Sequence, residues 1–320
     1  MTFLPLSAAW IRRLLEAFVL CQEEFRVVVA QARRHAGAQL PAAAERMVAE
    51  FHERAVKALD VCNAVRDGVD QVRRWERLAN IAASALPPSP PGEVREGQLR
   101  RARKALTDLS ALLVDAAATA SGPGGVASFL SSHCNRSFGR ARASPSRTAG
   151  SLQAIGAALA APRAHGASLA APVYSMGCVL HLTAWALVAA VLCPDRGNAL
   201  QAHHLPAAPP RAAFPWAPPL LAQQERLVEE GKRKDRRHSC GLLKEIHSLE
   251  KSTQKLAEAI DAAPTPLFGD RENDVREAVA ELAAVCEAMR DGLEAPASGA
   301  AVDLQAVAPA ASPPTSPMSC

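Results

Sequence analysis

Apolar residues recur along this chain at helical spacing in five separate stretches. In the first, Trp10, Leu14, Phe18, Cys21, Phe25 and Val28 follow one another at intervals of 4 or 3. The second carries Phe51, Ala55, Ala58, Cys62, Val65, Val69 and Val72, and the third Leu99, Ala102, Leu106, Leu109, Leu113 and Ala116. After a long interruption the pattern returns as Leu242, Ile246, Leu249, Thr253, Leu256 and Ile260, and then as Val275, Val279, Leu282, Cys286, Met289 and Leu293. Each set occupies one side of a helix with 3.6 residues per turn and leaves the charged positions on the other. Such stripes must be buried against one another, and no run alternates in the manner of a strand. The predicted class is therefore all-α, a bundle of amphipathic helices. Proline-rich breaks cut the pattern every few turns, which argues against one sustained coiled coil.

One further apolar stretch has no polar face. The 31 residues from Ala164 to Pro194 contain no Asp, Glu, Lys or Arg. Their centre, Val173–Cys193, is long enough to cross a bilayer, for which about 20 apolar residues suffice. It is also short enough to be the central helix of a bundle. Each Leu or Val favours insertion by about 0.3–0.6 kcal/mol, but His181, Ser175, Gly177 and Thr183 oppose it, leaving a sum near zero. A span would place the first three amphipathic helices and the last two in different compartments. A single bundle around the apolar helix buries every stripe at once. Both readings stand, and Val173, Leu180, His181, Trp185, Leu187 and Val191 are the residues that line either a membrane span or a core. His181 reads as a core histidine in preference to a proton relay.

The breaks divide the chain. Residues 1–120 form an N-terminal helical region of three amphipathic helices, and 121–163 a basic Ser/Arg linker. The apolar helix occupies 164–197, an Ala/Pro low-complexity linker 198–219, a C-terminal helical region 220–294, and a disordered tail 295–320. Consecutive prolines in Leu86–Gly92 end the second helix by removing donors and clashing with a helical path.

Composition adds limits rather than a reaction. Aromatic residues make up 4% of the 320, and a net charge of +4 is too small for the dense basic footprint of a nucleic-acid binder. None of the eight cysteines has the C-x-x-C spacing of a zinc or redox site, which suits a reducing compartment. Arg12 and Arg13 follow the first apolar residues instead of preceding them, unlike a secretory signal. Phosphate-binding glycine motifs are absent, and His52-Glu53 fails as a zincin start because Val56 stands where the second His belongs. The expectation is no enzyme, no cofactor, no metal and no small-molecule substrate.

Two basic clusters fit an anionic membrane surface or an acidic protein surface better than nucleic acid, since no aromatic residues are interleaved for base stacking, and the competing reading of the second is a solvated start to the helix that follows. One comprises Arg136, Arg140, Arg142 and Arg147, and the other Lys232, Arg233, Lys234, Arg236 and Arg237. Ser144 and Ser146 beside the first are candidate phosphorylation sites that would offset its charge. For a protein partner the candidate stripes are Phe51, Cys62, Val65 and Val69, or Leu242, Ile246, Leu249 and Leu256, each able to lie in a groove. Packing within the chain is the competing use of both.

Four blocks carry a family resemblance: FHERAVKALDVCNAVRDGVDQVRRWERLA (Phe51–Ala79), LQAIGAAL (Leu152–Leu159), YSMGCVLHLTAWALVAAVLCPDRG (Tyr174–Gly197) and KRKDRRHSCGLLKEIHSLEKS (Lys232–Ser252). In this order the chain resembles the plant BYPASS-related and ROH-type family. The resemblance implies a non-enzymatic protein whose ROH-type members interact with an Exo-seventy-type exocyst subunit in polarised secretion. For BYPASS-type members it implies restraint of a mobile root-derived signal that arrests shoot growth. The expected place is the cytoplasmic face of the plasma membrane or an endomembrane, as a single-pass or a docked protein, or else the cytosol.

Overall fold

The computed structural model describes residues 6–37, 39–86, 95–119, 145–157, 159–162, 169–191, 214–233, 240–262 and 270–294. Eight helices and no strand occur among them: α1 (Ala8–His35), α2 (Ala42–Ala85), α3 (Glu96–Thr119), α4 (Pro145–Gly156), α5 (Ala170–Val191), α6 (Ala217–Lys232), α7 (Lys244–Asp261) and α8 (Asp270–Leu293). The chain is all-α, as its periodicity predicts.

Local chemistry sets the helix ends. Ser7 caps α1, its Oγ accepting from the Trp10 N–H at 3.3 Å, which satisfies one of the four free donors of the first turn. The last turn of α1 carries Arg33, Arg34 and His35 against its negative dipole end. Just beyond, Gly37 takes φ +72°, the left-handed conformation that lets the chain turn back into α2. Helix α2 then runs 44 residues, about 66 Å at 1.5 Å per residue, with no proline inside it.

That length makes α2 the spine, in contact with α3, α4, α5, α7 and α8. Two hydrophobic cores lie along it. The first gathers Phe25, Val29, Val48, Phe51, Val61, Ile155, Trp185 and Leu227, from α1, the N-terminal half of α2, α4, α5 and α6. The second gathers Val72, Trp75, Ala79, Leu106, Leu109, Leu249, Leu256, Leu282 and Cys286, from the C-terminal half of α2, α3, α7 and α8. Val65 packs against both. Ala190 and Val191, the last residues of α5, reach into the second.

The predicted stripes are the buried faces. Leu242, Ile246, Leu249, Thr253, Leu256 and Ile260 are all buried, as are Val275, Leu282, Cys286 and Met289. The fit is looser in the second stripe, where Cys62, Val65 and Val69 are half-buried and the adjacent Val61 and Ala64 are buried, and it fails at the end of the first. Val29 is buried and Val28 is exposed, because three successive valines at about 100° per residue cannot all face one side. Cys21 is exposed for the same rotational reason.

Two elements extend the predicted organisation. Helix α4 lies inside the segment read as a basic linker, because Leu152 and Ile155 supply an apolar face that α2 and α5 bury. Helix α6 precedes the predicted start of the C-terminal helical region by three residues, with prolines in its first turn where no donor is lost. The tail from 295 lies outside the described residues.

Candidate functional site

The apolar helix is a core element in this fold. Val173, Leu180, His181, Trp185, Leu187 and Val191 are all buried. By length and composition α5 could cross a membrane, yet 89% of its most apolar window is buried by the rest of the chain. Helices α1, α2, α4 and α6 enclose it. At its N-terminal end Tyr174 packs in a tilted cluster with Phe214 (5.2 Å between ring centroids) and Trp216 (6.2 Å), which leads into α6. Burial, reinforced by the neighbouring Cys178, pushes the Tyr174 phenol up to about 12, and burial raises the Cys178 thiol too. These groups stay neutral at physiological pH.

Helix α4 sits on α5 and α2 through a contact of fitted shapes. His181 of α5 packs against Gly156: a Cβ there would overlap the imidazole, lying 2.9 Å from Nδ1. In the other direction, Leu159 lies over Gly177 of α5, where a Cβ would come within 2.6 Å of Leu159 Cδ2. Each helix thus offers a glycine notch to a side chain near or on the other. Leu152 and Ile155 are buried on the same face, with Thr148 and Ser151 beside them. The Ser151 hydroxyl donates to Asp60 Oδ2 of α2 at 3.5 Å, a long and weak bond. A third notch joins the cores, since Gly241, just before α7, lies where a Cβ would be 2.7 Å from the Ala190 carbonyl oxygen.

The second core is closed by ionic and hydrogen-bonded contacts at its rim. Arg290 pairs with Glu76 at 2.9 Å, and Glu76 is buried beneath it. Arg12 of α1 donates to the carbonyls of Gly292 and Glu294, and Arg73 of α2 to that of Leu293, so arginines from two other helices satisfy the C-terminal end of α8. Lys255 bridges Glu277 and Glu281 of α8.

The candidate partner stripes require a correction. Phe51, Leu242, Ile246, Leu249 and Leu256 are buried, and Cys62, Val65 and Val69 are half-buried, so packing within the chain consumes both stripes. The reason is the two-core architecture: α7 has neighbours along its apolar face, and α2 along most of its length. The large apolar side chains left exposed are others, namely Leu20, Val27, Val28, Val56, Leu59, Ile81 and Val114.

Of the basic clusters, Arg136, Arg140, Arg142, Lys234, Arg236 and Arg237 lie outside the described residues, as does the side chain of Arg147 on α4. Lys232 and Arg233 end α6 in an exposed position, with Arg233 paired to the buried Glu230 at 3.4 Å. Among the described residues no three His, Cys, Asp or Glu side chains are grouped to hold a metal. The contact of α4 with α5 is what residue-by-residue reading overlooked. Its signal was present: Leu152, Ile155 and Gly156 stand at i, i+3 and i+4 on α4, and Leu159 follows just beyond its end.

These features define a class: a helical scaffold whose apolar stripes close on one another around a fully apolar helix. The family comparison is specific. The chain belongs to the ROH1-like family, whose profile, described as Protein ROH1-like, matches residues 4–297. Among its relatives, Protein ROH1D of Arabidopsis thaliana is 40% identical over 317 residues, covering 90% of this chain and 76% of the relative. Protein ROH1A of the same plant is 32% identical over 315 residues, covering 90% and 74%. No solved structure matches the chain.

Proposed function

We propose that this ROH-type regulator is a non-enzymatic adaptor that docks at the cytoplasmic face of a membrane and binds an Exo-seventy-type exocyst subunit in polarised secretion. The observation that carries the reading is the family match across 4–297, which spans every described helix to the end of α8. The burial of α5 supports docking in preference to a span, because moving this helix into lipid would open the first core. Lys232 and Arg233, exposed at the end of α6, support contact with anionic lipid at about 1 kcal/mol per cation near the surface.

Pull-down of the purified exocyst subunit by the full chain tests the partner. Recovery of a stoichiometric complex is expected, and its absence with correctly folded proteins rejects this partner. Carbonate extraction of membranes tests the docking. Release into the supernatant is expected, and retention in the pellet would identify a span.

A further inference from the structure

Along its C-terminal half α2 turns a row of arginines to water. Arg66, Arg73, Arg74 and Arg77 are all exposed, and helical rotation places them within an arc of about 100°, opposite the buried Val72, Trp75 and Ala79. Ile81, 42% exposed, lies in the same arc. From Arg66 to Ile81 the row is about 22 Å long. Helix α3 packs beside it. Arg103 of α3 reaches Asp261 at the end of α7, at 3.1 Å, so the opposite flank of α3, with the exposed Arg101, borders α2, and Lys104 points outward.

Acids are few on this face. Asp70 pairs with Arg73 at 3.2 Å and Asp108 with Lys104 at 2.8 Å, and Asp67 is half-buried. Arg66, Arg74, Arg77 and Arg101 have no ion-pair partner among the described residues. Cations on other sides of the same core are matched, Lys255 with Glu277 and Glu281, and Arg290 with Glu76. The outer face of α8 is acidic instead, with Glu287 and Asp291 exposed, so the basic platform extends from α2 toward α3.

We propose that this α2–α3 face is where the chain meets an anionic membrane, with Arg66, Arg74, Arg77 and Arg101 binding lipid headgroups and Ile81 entering the interface. This rests on the reading of a docked protein and gives it a contact surface on the second core, apart from Lys232 and Arg233 of α6. Guanidiniums on the outer sides of two adjacent helices can meet a broad plane of mobile anions without a groove, each making paired N–H···O bonds to phosphate. An acidic peptide would need carboxylates at fixed spacing across both helices. Single-stranded nucleic acid would need exposed aromatic platforms, and the face has none among the described residues.

Co-sedimentation of the full chain with phosphatidylserine-containing vesicles tests this, with pure phosphatidylcholine as the blank. Arg66→Gln/Arg74→Gln/Arg77→Gln/Arg101→Gln is expected to weaken binding at least about a hundredfold, since each arginine near an anionic surface is worth about fivefold. The control Arg13→Gln/Arg34→Gln/Arg46→Gln/Lys57→Gln removes the same charge from exposed positions elsewhere on α1 and α2, and is expected to cost less than about tenfold because distant charges are screened. Equal weakening by the two variants, or native binding by the first, overturns this surface and leaves docking in place. A native chain that ignores the vesicles overturns the surface and, with it, direct docking on lipid. Preference of the native chain for a poly-glutamate peptide over the vesicles, lost in the first variant, overturns it in favour of an acidic protein partner. Should the first variant not fold, phenylglyoxal modification of the native chain decides. Vesicles are expected to protect Arg74, Arg77 and Arg101 and to leave Arg13 and Arg34 reactive, and unchanged reactivity of the first three overturns the proposal.

Discussion

The first core is organised around α5, a helix with 17 buried residues among its 22 and no polar face, whereas the second is assembled from helices that each turn charge to water. The first depends on enclosure: α1, α2, α4 and α6 must all be in place for α5 to stay dry. Among its contacts are close-fitting ones, glycine against histidine and leucine against glycine. The second core depends on matched stripes, closed at the rim by Arg290–Glu76 and by arginines on the end of α8. The difference teaches that a fully apolar helix needs neighbours on all sides, while an amphipathic one needs them on one. A chain with both kinds must order the enclosing helices along a shared element, here α2.

The largest effects are expected inside the cores. Trp185→Ala should destabilise by about 3–5 kcal/mol, and Leu249→Ala by about 2–5 kcal/mol, because both side chains are almost fully buried and the sites cannot collapse. Urea unfolding followed by circular dichroism measures both. A loss below 1 kcal/mol at Trp185 would mean that α5 is not enclosed as described.

Next is the coupling between cores. Val65 packs against both, so Val65→Pro should cost about 3 kcal/mol or more and split one unfolding transition into two. A single unchanged transition would show that α2 does not couple them. Smaller again is Gly241→Val at the joint of α5 and α7, where overpacking against the Ala190 carbonyl should cost about 1–3 kcal/mol. A melt unaffected by this change would argue that the joint is loose.

The smallest expected effect sharpens the comparison without disturbing the fold. Burial first, and the nearby Glu76 next, push the Cys286 thiol up to about 12, while Cys21 is exposed. Among the described cysteines, a thiol reagent at pH 8 should therefore label Cys21 first, and reach Cys178 in the first core and Cys286 in the second only on unfolding. Because the folded state holds the Cys286 proton more tightly than the unfolded chain, stability should fall slightly as pH rises above the ordinary thiol value of 9.0. Labelling of Cys178 and Cys286 at different urea concentrations would show the cores opening separately.

Much of this fold was legible in the periodicity. The stripes of α2, α3, α7 and α8 name their buried faces, since a 3.6-residue repeat has one apolar side and needs no knowledge of the partner. The missing helices were illegible for different reasons. Helix α4 has an apolar face of only a few residues within a Ser/Ala/Arg-rich segment, so composition masks its period. Helix α6 follows a proline-rich stretch that reads as linker. The seat of α4 was harder still, because Gly156 and His181 are 25 positions apart and a glycine notch has meaning only opposite what fills it.

The sequence by itself determined the class, the faces of four helices, and the family through blocks that span the chain. It also determined that α5 must avoid water, because a helix without a polar face has no other stable option in an aqueous compartment. Only the tertiary structure decided where that avoidance is met within the folded chain. Four other helices close around α5, and the α7 stripe that looked available to partners is buried in the second core. The physical reason is that burial is a property of pairs of surfaces, and a sequence prints only one surface of each pair.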